Sequence, residues 1–181
     1  MSDPSTTARG AFDALCQHAR ETALLSSIEE LLGWDERTKL PPAAGPYRAE
    51  QMTYLAGMIH RRRTDPRLGE LLASLADGEL ARDPHSDAGA TIRQLRRRYD
   101  KHVKLPQALV EALTRATVLG QQAWATARPK NDFASFRPYV AEIMRLAREK
   151  ADALGYVECR YDALLDDYEP EALTSEVSRV L

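Results

Sequence analysis

DFASFRPYVAEIMRLAREKADALG, residues 132–155, decides the fold class. Phe133, Phe136, Val140, Ile143, Ala147, Ala151 and Leu154 recur at steps of three and four, the period of one face of an α-helix. Asp132 stands before the run as an N-cap, and Gly155 follows it as the residue that closes the last turn. Pro138 falls within the early turns and is expected to bend them.

The same reading extends in both directions. Upstream, Leu109, Leu113, Ala116, Gly120 and Trp124 mark a helix that starts at Leu105-Pro106 and ends near Arg128-Pro129. Ser86 or Asp87 caps another through about Val103, inward along Ile92, Leu95 and Tyr99. Thr64-Asp65-Pro66 is a cap followed by proline at the first helical position, opening a helix to about Ala76 with Leu68, Leu71, Leu72 and Leu75 inside. A helix over Tyr47–Arg63 turns Met52, Leu55, Ala56 and Ile59 to one face. The first helix covers Thr7–Leu32 through Phe12, Leu15, Ala19, Ala23, Leu25, Ile28 and Leu31 or Leu32, and is expected to end at Gly33. Residues 34–46, WDERTKLPPAAGP, then read as a loop, because three prolines oppose a regular helix. Downstream come the short segment YDALLDDYEP and a last helix capped by Thr174, too short to be stable alone. Strand patterns and repeats are lacking. The expectation is an all-α bundle of about six to eight helices forming a single domain over residues 1–181, with 157–181 as a connector.

The chain has 181 residues, 44% of them hydrophobic, so it can bury a core. Its 25 Lys+Arg and 27 Asp+Glu leave a net charge of −2, which opposes a general polyanion binder. The apolar runs fall short of the ~20 residues of a membrane span, and the N-terminus has no hydrophobic signal core. Cys16 and Cys159 read as ordinary thiols of a reducing compartment, so the expected location is cytoplasmic.

Chemistry-bearing patterns are sparse. Among His18, His60, His85 and His102 no two are spaced as metal ligands on a helix, and no HExxH occurs; His18 with Glu21 gives two ligands at most. All four read as surface or half-buried side chains. No nucleophile or phosphate-loop signature is present. Arg61, Arg62, Arg63 and Arg67 form one basic cluster, and Arg93, Arg96, Arg97, Arg98, Lys101 and Lys104 another. Both read as solvated faces or partners of the acidic tail rather than nucleic-acid sites. The 34–46 segment is the most distinctive piece. Trp34, Asp35, Arg37, Pro41, Pro42 and Arg48 form a candidate cleft or lid loop, against the alternative of a rigid connector with Trp34 tucked into the core.

Taken in order, the segments LLGWDERTKLPPAAGPYRAEQMTYLAGMIHRRRTDPRLGELL (31–72), IRQLRRRYDKHVKLPQALVEAL (92–113), QQAWATARPKNDFASFRPYV (121–140) and YDALLDDYEP (161–170) are similar to the beginning of the thermostable carboxypeptidase (carboxypeptidase Taq) family of zinc metallocarboxypeptidases. The family's W-D-x-x-T-x-M-P-P loop corresponds to Trp34, Asp35, Thr38, Pro41 and Pro42. Its R-x-E-Q helix corresponds to Arg48, Glu50 and Gln51, and its T-D-P-x-L-G-x-L-L segment to Thr64–Leu72. The resemblance covers roughly residues 12–173. Leu40 replaces the usual Met, and Glu171 stands where a Gly often follows the proline. It implies an N-terminal helical region that walls a peptide cleft, with zinc, its HExxH helix and its glutamate ligand in a portion that has no counterpart in this sequence. The expected chain therefore holds no cofactor and is inactive alone. The alternative is a stand-alone, non-enzymatic helical binding or regulatory module. Expected partners are a second copy, with the tail Tyr161–Leu181 near the contact, a peptide, or the catalytic portion; nucleic acid and membrane are not expected.

Overall fold

The computed structural model describes residues 4–180, with side chains from residue 7 onward. Its α-helices are α1 (Pro4–Thr38), α2 (Gly45–Arg63), α3 (Pro66–Leu75), α4 (Glu79–Arg82), α5 (Asp87–His102), α6 (Gln107–Ala127), α7 (Phe133–Leu154), α8 (Arg160–Leu165) and α9 (Thr174–Val180). No strand occurs among the described residues, so the fold is all-α. The Leu181 end of the tail lies outside the described residues.

The caps explain most boundaries. Asp65 accepts from Arg67 N at 2.9 Å ahead of Pro66. Ser86 accepts from Gly89 N, and Asp132 from Ser135 N, both at 3.1 Å. Gly155, at φ 79°, ends α7 by donating its N–H to Ala151 O. Pro138 lies inside α7, where the Ala134 carbonyl loses its usual N–H partner.

The first helix departs from expectation. Gly33 does not end it; α1 runs five residues further, to Thr38. Glycine weakens a helix by only about 1 kcal/mol, whereas Pro41-Pro42 denies the helical region to the residue ahead of it. The stop is therefore set by the prolines. The buried face also differs. Leu15 is fully buried, yet Leu24, Ile28 and Leu31 are largely exposed. At roughly 100° per residue, Ile28 lies about 140° around the axis from Leu15, while Thr22 lies within about 20° of it. Thr22 is accordingly buried, and the inward face of α1 turns from apolar to polar along its length.

The structure divides into two compact units. The first comprises α1 to residue 39 together with residues 54–103, and the second comprises residues 40–53 with 104 onward. In the first, Leu15, Leu68, Leu72, Leu75 and Ile92 form the core, covered by Phe12, Leu95 and Tyr99. In the second, α6 and α7 pack along their length. Gly120 makes the approach close, since a Cβ there would stand 2.8 Å from Ile143 Cδ1. Phe136, Val140, Ile143 and Ala147 are half-buried on this stripe, Phe133 is exposed, and the buried members of α7 are Leu146, Ala151 and Leu154.

The tail is tied to α7. Ala163 packs with Ala151 and Leu154, flanked by Leu105 and Leu164. Lys150 pairs with Asp167 at 2.7 Å, and Arg160 with Asp152 at 2.7 Å. Buried Asp162 joins α8 to α9. Its carboxylate accepts from Glu158 N (3.0 Å), Cys159 N (2.9 Å), Thr174 N (2.9 Å) and Thr174 Oγ1 (2.5 Å). Thr174 is thus a donor to Asp162 rather than the cap of α9. The Thr174 hydroxyl, followed by the Cys159 amide, holds the Asp162 carboxyl far below the usual carboxylate range. Glu171, where glycine often stands in the resembling family, sits at φ 70°, in the left-handed region that glycine adopts without cost.

Candidate functional site

Of the candidate cleft residues, the structure places Trp34, Asp35 and Arg37 on α1, Pro42 in a 3₁₀ turn and Arg48 on α2, with Pro41 outside regular structure. In the first unit, Trp34, Asp35 and Arg37 occupy the last turn of α1. The Trp34 carbonyl accepts from Thr38 Oγ1, and the Asp35 carbonyl from Lys39 N, each at 2.8 Å. Arg37 is exposed, and its charge suits the negative end of the helix dipole. The Trp34 side chain is 57% exposed, so it is not tucked into the core. Trp34 and Arg37, three residues apart, share a face of that final turn.

In the second unit, Pro41 (φ −59°, ψ 140°) leads into one 3₁₀ turn over Pro42–Ala44, closed by Ala44 N donating to Pro41 O at 2.9 Å. The non-helical stretch ahead of α2 is therefore only a few residues long. Arg48 lies at the end of the first turn of α2 and is buried, its Nε donating to Gln51 Oε1 at 3.1 Å. A guanidinium withdrawn from water needs bonding partners, which gives Arg48 a part in organising α2. Gly45 leaves the room that the Gln122 side chain fills.

The remaining polar clusters resolve into packing devices. His18 and Glu21 both serve Arg62: the His18 ring lies 2.8 Å from the Arg62 carbonyl, and Glu21 accepts from Arg62 Nη2 at 2.7 Å. The Gln17 side chain and Arg62 lower the proton affinity of Glu21. His60 is buried, deeper than expected, with its ring edge-on to His102 at 6.3 Å between centroids. Its position on the inward face of α2, between Ile59 and the exposed Arg61, accounts for this. Cys16 and Cys159 are free and half-buried, and Cys159 Sγ lies 3.5 Å from Asp162 Oδ1.

Sequence reasoning missed one feature of the first unit. A cavity of about 430 Å³ opens between α1 and α5, where Arg63 of one basic cluster and Arg98 of the other line the same space. Arg63 Nη2 donates to Ser26 Oγ at 3.1 Å. The signal that could have found it is the α1 series His18, Thr22, Ser26, Glu30, polar at every fourth position. In the second unit a smaller hollow of about 190 Å³ is lined by Trp124, Phe133 and Phe136.

A zinc site needs three or more converging ligands. Among the described residues no group of three His, Cys, Asp or Glu is placed to hold a metal ion. The residues present do not fit the metal that the resembling family uses. No described helix is long and apolar enough to cross a membrane.

Comparison with known proteins places this geometry. The thermostable carboxypeptidase 1 of Thermus thermophilus is 38% identical over 174 residues, covering 91% of this chain and 34% of that protein. The solved crystal structure of BsuCP superposes with a TM-score of 0.81 at 26% identity, over 97% of this chain and 34% of that one. The M32 carboxypeptidase from Deinococcus radiodurans R1 gives a TM-score of 0.72 at 28% identity, over 94% and 34%. The chain thus spans about a third of the length of the curated relatives it matches. The model of the carboxypeptidase Taq (M32) metallopeptidase family matches residues 14–181, and the chain belongs to that family.

Proposed function

We propose that this chain supplies the N-terminal helical wall of a peptide cleft in a zinc metallocarboxypeptidase and has no peptidase activity by itself. The observation that carries the reading is the family match over residues 14–181, joined to relatives of which the chain spans a third. In this role the end of α1 presents Trp34 and Arg37 to the cleft; separately, within the second unit, Pro41, Pro42 and Arg48 fix the start of α2. Asp35 belongs to the same final turn. Recognition of peptide would come from the exposed indole and guanidinium, and chemistry from residues outside this sequence.

Exposed apolar side chains favour a covered surface. Leu24, Ile28 and Leu31 on α1, and Tyr161 and Tyr168 in the tail, are open to solvent. Faces of this kind are commonly buried by a partner. We assign them to self-association of the chain or to the catalytic portion.

The test is to purify the 181-residue chain, measure bound zinc, and follow release of C-terminal residues from blocked dipeptides. No release and less than about a tenth of an equivalent of tightly held zinc are expected. One zinc per chain with amino-acid release would overturn the reading.

A further inference from the structure

We infer that the cavity between α1 and α5 binds a small organic carboxylate with an apolar body, and that Arg63 and Arg98 hold the carboxylate. The inference is independent of the peptidase reading, because it uses only the first unit's own residues.

The cavity follows from the turn of α1. The face that buries Leu15 continues as Thr22 and Ser26, flanked by His18 and Glu30, and these line one wall. The α5 wall is Leu95, Arg98, Tyr99 and His102, again a helical stripe. Arg63, the last residue of α2, and Leu68 of α3 complete it. At about 430 Å³ the volume lies in the range of small-molecule sites.

Charge selects the ligand. Two guanidinium groups face a space whose one lining carboxylate is Glu30. Burial lowers the proton affinity of Arg63; the charge of Glu29 opposes that effect and Arg98 adds to it. Glu29 is half-buried as well, and burial raises its own pKa, so it balances Arg63 from a desolvated position. Among the described residues no carboxylate pairs with Arg98. An entering anion would relieve the repulsion between two like charges, and Arg63 is already oriented by its bond to Ser26 Oγ.

The apolar lining decides between anions. Ala19, Ala23, Leu68 and Leu95 share the cavity with the arginines. Inorganic phosphate would leave that surface uncovered and set a second negative charge toward Glu30. A monoanionic carboxylate on a short hydrocarbon satisfies both parts. A ligand of purely positive charge would meet Arg63 and Arg98 unfavourably.

The experiment is calorimetric titration of the full 181-residue chain near neutral pH with 4-methylpentanoate, leucinamide and inorganic phosphate in turn. Saturable one-to-one binding of 4-methylpentanoate is expected, with phosphate at least roughly tenfold weaker and no binding of leucinamide. Arg98→Met should weaken 4-methylpentanoate by roughly tenfold or more, the scale of one lost charge-assisted hydrogen bond. Glu30→Gln should tighten it, a gain that a misfolded variant would not imitate. Failure of 4-methylpentanoate to saturate, equal binding of leucinamide, tighter binding of phosphate, or a Glu30→Gln variant that binds no better than the parent would each overturn the proposal.

Discussion

Replacing Leu15 with alanine tests the packing of α1 most directly. Leu15 is fully buried and meets Leu68, Leu72, Leu75 and Ile92, so the neighbouring side chains enclose it rather than solvent. Truncation removes the transfer free energy of the lost carbons and leaves a cavity that a close-packed cluster fills only in part. Leu→Ala at such sites costs about 2–5 kcal/mol, and an enclosed site belongs near 3–4 kcal/mol. For a chain of this length each kcal/mol lowers Tm by roughly 2–4 °C, giving a fall on the order of 6–16 °C. Ile28→Ala is the control on the same helix. Ile28 is 49% exposed, so less apolar area is lost. Alanine's better helix propensity offsets part of that, and the net change should stay below about 1 kcal/mol. Urea unfolding followed by circular dichroism reads both, with the m-value as a check that the unfolded state is unchanged. Equal losses for the two variants, or a Leu15→Ala loss below about 1 kcal/mol, would refute the assignment of the inward face.

Glu171→Gly should raise stability by up to about 1 kcal/mol, because glycine relieves a left-handed residue while adding some unfolded-state freedom; thermal melting checks it. Asp162 has a depressed folded-state pKa, so its contribution is complete above the ordinary carboxylate range and is lost as pH falls below it. The parent should therefore lose stability in acid more steeply than Asp162→Asn, as read from denaturation midpoints at about pH 6 and about pH 3. Gly120→Leu should destabilise by about 1–3 kcal/mol by forcing Ile143 away from α6, measured by chemical unfolding. Light scattering should give a mass above the monomer for the full chain, and a fall toward monomer for a version ending at Tyr156.

Local rules made most of the fold legible. Asp65-Pro66, Ser86, Asp132 and Gly155 act as caps because each satisfies or terminates a helix end by its own side chain or φ. Gly33 misled because glycine permits a break without requiring one, while the neighbouring Trp34–Thr38 turn gains its own hydrogen bonds. The departure at Glu171 was visible in the sequence, but its meaning is conformational and emerges only from φ. Arg48 was placed on the second helix but grouped with the candidate cleft residues, whereas its side chain is buried, which no local pattern reports. The family motifs around Trp34 identified the chain because their order survives even where each short pattern is weak.

The two arginine clusters show why binding surfaces are harder to read than cores. Apolar periodicity reports which face is hidden, and it reads a polar residue on the hidden face as an interruption. On α1 that interruption is the informative part. From Leu15 onward the inward direction passes through Thr22 and Ser26, while Leu24, Ile28 and Leu31 rotate outward. A polar inward stripe cannot be packed dry against neighbours at low cost, so a hollow with hydrogen-bonding walls is the natural outcome. Arg63 and Arg98 then enter the hollow from α2 and α5 for a reason that neither cluster contains alone. Consecutive arginines splay around a helix, so one member of each run must point inward; Arg61 stays exposed, Arg62 turns to Glu21, and Arg63 turns to Ser26. A basic run is thus a set of separate directions, and the member that matters is the one whose direction meets a polar stripe on another helix.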